Sequence, residues 1–307
     1  MDQLVQIAPV PATTEQVLRV HTPEHLNLVR GVSMRGGGLL DQGDTYATAE
    51  TFDAALLAAG STCALVDHIM TGKADNGFAL IRPPGHHAEA SRAGGFCIFN
   101  NIGIAARQAQ AQHGLQRVAI VDYDVHHGNG TQDIFYDDPS VHFTSTHLFT
   151  QYFYPGTGAW DETGSGPGKG YTLNVPMPPN VGDVGYQRAF QDLIIPALER
   201  FQPEIVLVSI GFDAHWLDPL AMASLSLTGY ATLTQMLIDT AERLCRGRIG
   251  FVLEGGYHLD VLTNGSINVF YTLLGEAIVL DPFGPSPEPE NSIEPLLDRL
   301  VQLHLPN

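Results

Sequence analysis

Short apolar runs rich in β-branched residues alternate along this chain with longer amphipathic stretches. The apolar runs, each bounded by glycine, proline or a charged residue, are 78–81, 118–121, 141–144, 205–210 and 249–253. Their length and composition predict buried strands. The amphipathic stretches have helical length and cover 49–70, 102–112, 186–201, 229–245 and 262–274. This alternation predicts an α/β fold, with a mostly parallel sheet covered by helices on both faces.

The pattern changes near residue 280. Residues 281–291 read DPFGPSPEPEN, a concentration of proline and acid that predicts a linker. A short segment with helical spacing follows over 293–303. We therefore expect a main domain over 1–280, a linker over 281–291 and a helical tail over 292–307.

Composition narrows the function classes. Fifteen Lys and Arg against 33 Asp and Glu give a formal net charge of −18. Such a surface repels phosphate, which argues against direct nucleic-acid binding, and it favours cationic substrates. Cys63, Cys97 and Cys245 form no CxxC pair, so neither a disulfide framework nor a thiolate zinc site is predicted. Because we find no signal peptide and no run of roughly 18 uninterrupted apolar residues, we expect a cytoplasmic protein without membrane attachment.

Polar residues follow the predicted strands, where ligands bind in open parallel sheets. The first run leads into RPPGHHA, whose prolines and glycine predict a turn that presents His86 and His87. Histidine's ordinary pKa near 6.5 suits proton transfer at neutral pH. On its own, such a pair in a turn is more often structural than catalytic.

A possible metal site follows two other runs. Asp122, Asp124 and His126 alternate after the second run and would share one face of a strand. Burying unpaired carboxylates is costly, and carboxylate with imidazole suits an ion such as zinc, although a hydrogen-bonded strand end is the alternative. Asp213 adds a third carboxylate, with a helix N-cap as its alternative role. Asp124, His126 and Asp213 would leave a position open for catalysis.

The last apolar run ends in LEGGY, and its paired glycines allow a tight turn. That turn would direct the Tyr257 hydroxyl towards the same edge of the sheet. A packing role is the alternative for any single tyrosine.

Six segments together resemble the zinc-dependent histone deacetylase family in their order and spacing. They are RPPGHHA (82–88), GFCIFNN (95–101), DYDVHHGNGTQDIF (122–135), YPGTG (154–158), GFDAH (211–215) and LEGGY (253–257). The signatures HHGNG and LEGGYHL are similar to class II members and their bacterial homologues. The resemblance implies a single-domain arginase/deacetylase fold, with a mostly parallel sheet of about eight strands between helical layers. It also implies that 1–280 is the catalytic domain, with an amino-terminal segment shorter than is usual for the family.

The resemblance further implies site roles and two kinds of ion. One catalytic Zn²⁺ would be held by Asp124, His126 and Asp213. The implied catalytic residues are His86, His87, Asp122, Asn129 and Tyr257, with Asp122 orienting His86 and Tyr257 polarising the substrate carbonyl. The implied substrate contacts are Gly95, Phe96 and Tyr154, with Leu220 where relatives that prefer acetylated polyamines carry an acidic residue. Structural K⁺ would lie near Asp122, Asp124, His126, Ser145 and Thr146, and a second ion near Phe135 and Asp138.

The implied reaction is hydrolysis of N-acetyl amides to acetate and a free amine. The expected substrate is an acetylated lysine in a peptide or protein, or else a small acetylated amine, and a homo-oligomer is left open. An acetylpolyamine amidohydrolase is the alternative, favoured by net charge and opposed by Leu220. A catalytically silent binding module is favoured by the short amino-terminal segment and opposed by the intact ligand positions. A ureohydrolase of the same fold is opposed by His215, where a second metal-bridging aspartate would stand.

Overall fold

The computed structural model describes residues 3–305, which form a six-stranded parallel sheet and a separate two-stranded hairpin. The six strands are ordered β3-β8-β7-β4-β5-β6 across the sheet. They are β3 (Asn76–Ala79), β4 (Val118–Asp122), β5 (Val141–Leu148), β6 (Thr172–Met177), β7 (Ile205–Ile210) and β8 (Ile249–Leu253). The antiparallel hairpin pairs β1 (Gly37–Leu39) with β2 (Tyr46–Thr48). The predicted α/β class and parallel sheet are confirmed, but the expected count of about eight strands is wrong, because the sheet has six.

Helices pack around this sheet, and they include those that the sequence pattern predicts at 49–70, 102–112, 186–201, 229–245, 262–274 and 293–303, together with others that it does not predict. The helices are α1 (Thr14–Leu18), α2 (Pro23–Met34), α3 (Thr51–Met70), α4 (Asn101–His113), α5 (Asn129–Phe135), α6 (Asp183–Ala189), α7 (Ile195–Phe201), α8 (Leu227–Cys245), α9 (Leu259–Leu273) and α10 (Glu294–His304). A π-helical turn, Phe190–Ile194, joins α6 to α7, so the predicted stretch 186–201 is interrupted.

The central strand β4 is apolar at successive positions, without the alternation of apolar and polar residues that a strand with one exposed face shows. Ala119 and Val121 pack in a core cluster with residues of α6 to α10, whereas Val118 and Ile120 pack in a second cluster with residues of α3 and α4. Both faces of the strand are therefore covered, as in other parallel sheets. The sheet thus separates two helical layers. Its two faces are covered, so polar side chains can reach solvent mainly at the ends of the strands.

Helix α3 is long and apolar enough to cross a membrane by length and composition alone. Half of that apolar stretch is buried inside the protein, where Leu65, Val66 and Ile69 belong to the second core cluster. A core helix of a folded domain meets the same length and composition criteria, so this helix is weak support for a membrane span.

The segment 281–291 and α10 lie against the main body. Glu290 accepts backbone N–H groups of Gly182, Val184 and Gly185 at 2.8, 3.2 and 3.1 Å, at the start of α6. Leu297 of α10 is buried in the first core cluster. These contacts fix the last helix on the layer that covers one face of the sheet.

His21 is a buried histidine whose neutral form the fold requires. Its Nδ1 lies 3.0 Å from the Glu89 carbonyl oxygen and its Nε2 accepts the Asn100 backbone N–H at 2.8 Å. Nδ1 therefore carries the proton and donates it to the carbonyl. Burial, and next the neighbouring His25, lower the pKa of His21 to about 3.

We predict that acid destabilises the fold partly through His21. Because its pKa is about 3 when folded and about 6.5 when unfolded, its contribution is complete above pH 6.5 and is lost as the pH falls towards 3. Between pH 7 and pH 5 this loss is about 2 kcal/mol. Denaturant unfolding at both pH values should show that His21→Gln reduces the acid-induced loss by about that amount, whereas His68→Gln, at a partly exposed position on α3, does not. An unreduced loss in His21→Gln would contradict the assignment.

Candidate active site

The candidate residues converge at the carboxyl ends of four adjacent strands. His86 and His87 follow β3, Tyr257 follows β8, Asp213 follows β7 and Asp122 ends β4. These strands are neighbours in the sheet and run parallel, so their carboxyl ends meet at one edge. The convergence expected from the strand-end positions is therefore present.

The turn after β4 is built differently from a continuing strand. Asp122 Oδ1 accepts the Asp124 backbone N–H at 3.1 Å, and Asp124 Oδ1 accepts the His126 backbone N–H at 2.8 Å. Two successive aspartate-to-backbone bonds of this kind turn the chain away from the sheet. The expectation that the three side chains share one strand face is therefore wrong, since β4 ends at Asp122. The turn places Asp122 beside His86 Nδ1 at 3.0 Å and His126 beside Asp213 at 3.3 Å. Asp124 lies between these two places, with its Oδ1 3.9 Å from His86 Nε2.

Asp124, His126 and Asp213 form a compact set of oxygen and nitrogen donors, with ligand atoms within 4.8 Å of one another. His126 Nδ1 lies 3.1 Å from Asp124 Oδ1 and 3.3 Å from Asp213 Oδ2. Burial, and next the Asp124 carboxylate, raise the pKa of Asp213 to about 6. Despite the nearby imidazole, Asp213 Oδ2 is buried and has no well-formed hydrogen bond within residues 3–305. Two buried carboxylates and one imidazole fit a divalent cation such as Zn²⁺.

Glycine backbone lies directly behind this set. The Gly255 N–H donates to Asp124 Oδ2 at 2.8 Å, and a Cβ at Gly255 would collide with the carboxylates of Asp124 and Asp213. A Cβ at Gly211 would likewise collide with the carboxylates of Asp124 and Asp213. The two glycines are therefore needed for close approach rather than for flexibility.

His86 and His87 have adjacent rings, with centroids 4.0 Å apart, but different partners. His86 Nδ1 lies 3.0 Å from Asp122 Oδ2. Burial opposes protonation of His86, yet Asp122, then Asp124 and Glu254, outweigh it and raise its pKa to about 10.

His87, unlike His86, is favoured in its neutral form. Its Nδ1 lies 2.8 Å from Asn129 Oδ1, and Asn129 Nδ2 donates to Glu89 at 3.0 Å. This orientation of the amide makes His87 Nδ1 the donor and leaves Nε2 without a proton. Burial, then His86 and His126, lower the pKa of His87 well below its usual value. One histidine of the pair is thus favoured as a cation and the other as a neutral base.

Glu254 is a functional-site residue that the sequence reasoning missed. Its Oε2 accepts the backbone N–H groups of Gly85 and His86 at 2.7 and 3.1 Å, and its Oε1 accepts the Ser209 hydroxyl at 2.8 Å. The carboxylate therefore fixes the turn that carries the histidine pair. The LEGGY segment contains this glutamate directly before the paired glycines, so its position after an apolar run could have indicated a role at the site.

Aromatic side chains line the approach to the donor set. The Tyr154 ring centroid lies 4.9 Å from that of His87, and the Phe96 centroid lies 6.3 Å from that of Tyr257. Phe153, which the sequence reasoning did not select, stacks on His126 at 4.9 Å. Burial, then Asp124 and Asp213, raise the pKa of Tyr257, which favours its phenol as a hydrogen-bond donor.

Gly95 and Leu220 complete the predicted substrate contacts. Gly95 has φ +53°, and a Cβ there would collide with the His87 ring. Leu220 is 51% exposed. Asp218 connects its loop to the site, because it accepts the Leu220 backbone N–H at 2.9 Å and the Tyr257 backbone N–H at 2.8 Å.

The residues predicted for potassium fall into two places. Asp122 on β4 pairs in register with Ser145 on β5, and the adjacent Thr146 has a buried Oγ1 without a hydrogen-bond partner among residues 3–305. Phe135 and Asp138 lie instead around the end of α5, near the start of β5. There Asp138 forms an ion pair with Arg107 at 2.7 Å.

Comparison with known proteins places this arrangement in a family. The family description "Histone deacetylase domain" matches residues 1–273. The chain belongs to that family. "Histone deacetylase 10, chloroplastic" of Oryza sativa subsp. japonica is 43% identical over 308 residues, covering 96% of this chain and 69% of the relative. "Polyamine deacetylase HDAC10" of Homo sapiens is 43% identical over 274 residues, covering 86% of this chain and 40% of that protein.

A solved structure agrees with these relatives. The crystal structure of an HDA15 HD domain superposes with a TM-score of 0.87 at 41% identity, covering 97% of this chain and 82% of that one. The expectation of a deacetylase-family enzyme with the arginase/deacetylase fold is therefore confirmed.

We predict that Glu254→Gln destabilises this histone deacetylase domain. If the amide oxygen faces the Gly85–His86 turn, the two backbone N–H groups lose a charged acceptor for a weaker neutral one, and the amide N–H group meets the Ser209 hydroxyl. If the amide oxygen faces Ser209, both buried backbone N–H groups lose their acceptor. The free energy of unfolding should fall by about 2 kcal/mol, and deacetylase turnover should fall with it. Glu276→Gln, at an exposed position, is the matched control in denaturant unfolding. Equal stability of the two variants would contradict the anchoring role.

Proposed function

We propose that this protein hydrolyses N-acetyl amides on lysine side chains, with one Zn²⁺ held by Asp124, His126 and Asp213. The observation that carries the proposal is the position of this three-residue donor set beside the His86–His87 pair. When bound, the ion supplies a Lewis acid for the acyl group and for water.

His87 is the residue that receives a proton in this reaction. Asn129 fixes the proton of the ring on Nδ1, so Nε2 remains available to take a proton from the attacking water. Water adds to the acyl carbon and gives a tetrahedral oxyanion. When this species collapses, the C–N bond breaks, and a protonated histidine of the pair gives its proton to the leaving amine. The products are acetate and the free amine. Asp122 orients the His86 ring during the whole reaction by its contact with Nδ1.

Tyr257 and the aromatic walls orient the substrate. The Tyr257 hydroxyl donates to the acyl oxygen as negative charge develops there, a contribution of about 3 kcal/mol by analogy with other oxyanion donors. Gly95, Phe96 and Tyr154 border a channel for the aliphatic part of an acyl-lysine. The close approach of Gly95 to His87 and the Phe96–Tyr257 ring contact support this assignment.

The proposal also includes structural K⁺ ions. The buried Thr146 hydroxyl, which has no hydrogen-bond partner among residues 3–305, and the adjacent Asp122–Ser145 pair support one such ion. A second would lie near Phe135 and Asp138. A cytoplasmic location and the absence of direct nucleic-acid binding remain sequence-based proposals.

We predict that two substitutions separate metal binding from chemistry. Asp213→Ala should lose most of its metal and its activity, because three ligands are needed to retain a catalytic ion. Tyr257→Phe should keep its metal and lower kcat more than one hundredfold, since its hydrogen bond matters mainly in the transition state. Metal content per chain and acetate release from an acetyl-lysine peptide measure both effects. Full metal in Asp213→Ala, or unchanged kcat in Tyr257→Phe, would contradict the respective role.

Acetylpolyamine hydrolysis is the second candidate, favoured by the net charge of −18. Leu220 opposes it, because an apolar side chain offers no partner for a second ammonium group. We predict that Leu220→Glu raises kcat/KM for acetylspermidine relative to an acetyl-lysine peptide by at least tenfold, the effect of about 1.4 kcal/mol. Leu28→Glu changes the charge equally at an exposed position and should leave the ratio unchanged. A wild-type preference for acetylspermidine would favour the second candidate, and no acetate release from the metal-loaded protein would favour the silent binding module.

A further inference from the structure

A cavity of about 380 Å³ lies at the amino-terminal ends of the strands, whereas the candidate active site lies at their carboxyl ends. Arg117 directly precedes β4, Lys169 lies shortly before β6, and Arg200 is in the last turn of α7. All three side chains line the cavity. Since β4 has five residues, the strand separates this cavity from the catalytic edge by about 17 Å.

The charge of this cavity contrasts with the rest of the chain. Three of only 15 Lys and Arg gather here in a protein with a net charge of −18. Within residues 3–305, Arg117, Lys169 and Arg200 form no ion pair with a carboxylate, whereas five other arginines do. A local positive potential therefore stands out against an acidic surface.

Nearby carboxylates are engaged elsewhere. Asp138 pairs with Arg107 at 2.7 Å and Glu199 pairs with Arg243 at 3.2 Å. Glu204 accepts the backbone N–H groups before β4, at 2.7 and 2.9 Å. Arg117 Nε donates to the Gln202 carbonyl at 2.7 Å and Arg200 Nη1 donates to the His304 carbonyl at 2.9 Å. Within residues 3–305, the other N–H groups of these two guanidinium groups and the Lys169 ammonium pair with no carboxylate and can reach a ligand or solvent.

The floor of the cavity is aromatic, with Phe201 and His142 buried and Tyr171 half-buried. The Phe201 ring lies 5.4 Å from His142 and 5.8 Å from Tyr171, measured between centroids. His142 is 5% exposed, and the Nε2 atom of His304, which also lines the cavity, is buried without a hydrogen-bond partner among the described residues. Burial lowers the pKa of both imidazoles to about 4, so they are neutral at pH 7 and can still donate a hydrogen bond.

We propose that this cavity binds a phosphate monoester, with its phosphate held by Arg117, Lys169 and Arg200 and its organic part on the Phe201–Tyr171 floor. A phosphate dianion matches three cationic side chains better than a single carboxylate does. The volume lies within the range of small-molecule sites, and the aromatic floor offers contact area to a planar group. A concave site of this size suits a small molecule better than an extended acidic segment of a protein.

Calorimetric titration of the metal-loaded full chain tests this site. The potassium chloride concentration is kept constant, because Asp138 of the second proposed K⁺ site directly precedes the lining residue Pro139. The probes are adenosine monophosphate, inorganic phosphate and adenosine. We expect adenosine monophosphate to bind most tightly, since it alone offers both the anion and the planar group. Inorganic phosphate and adenosine should bind at least tenfold more weakly.

Lys169→Gln is the decisive variant, because Lys169 lines the cavity at an exposed position, so its replacement should leave the fold intact. It should weaken adenosine monophosphate binding at least tenfold and leave deacetylase activity unchanged. Lys73→Gln, at an exposed position, makes the same change in charge and should bind like the wild type. Equal binding by the two variants, or no binding by the wild type at millimolar probe, would overturn the proposal. Binding of hexaglutamate but not of adenosine monophosphate would also overturn it, in favour of an acidic protein segment.

Discussion

Burial of negative charge at one edge of the sheet is the constraint on which this site depends. Asp122, Asp124, Asp213 and Glu254 each have no exposed surface. An ionised carboxylate without partners would cost several kcal/mol in such a place. The chain compensates chiefly with backbone N–H groups of the loops that surround these carboxylates. Loop conformation and buried charge therefore support each other, and neither would persist alone.

The same constraint explains how the site couples distant parts of the chain. Glu254 after β8 holds the turn that carries His86, and Asp124 after β4 accepts the N–H of Gly255. Each carboxylate thus positions a loop that follows a different strand. The histidine pair then acquires opposite proton preferences. Burial disfavours the cation at both rings, but the Asp122 carboxylate outweighs it at His86, whereas His87 has only the neutral amide of Asn129 as its partner and stays neutral.

Sequence patterns predicted the parts of the fold that are buried on both faces. The runs 205–210 and 249–253 coincide with β7 and β8, because strands covered by helices on both sides are continuously apolar. The edge strand β6 was not predicted, since Asn174 and Pro176 interrupt its apolar pattern. Proline is tolerated there because an edge strand has unpaired N–H positions. The strand-end rule located the donor set, but the role of Glu254 depends on a partner 168 residues away in the chain, which local patterns do not reveal.

Close packing explains why the motifs of this site contain so many glycines beside polar residues. A Cβ at Gly211 would collide with Asp124, and a Cβ at Gly128 would collide with Asp122. The carboxylates therefore lie against bare backbone, where N–H groups can reach them directly and water has little room. Removing water strengthens each of these hydrogen bonds and also makes each unpaired oxygen more costly. The buried Oδ2 of Asp213, which has no well-formed hydrogen bond within residues 3–305, is the point at which this packing is left incomplete by the protein itself.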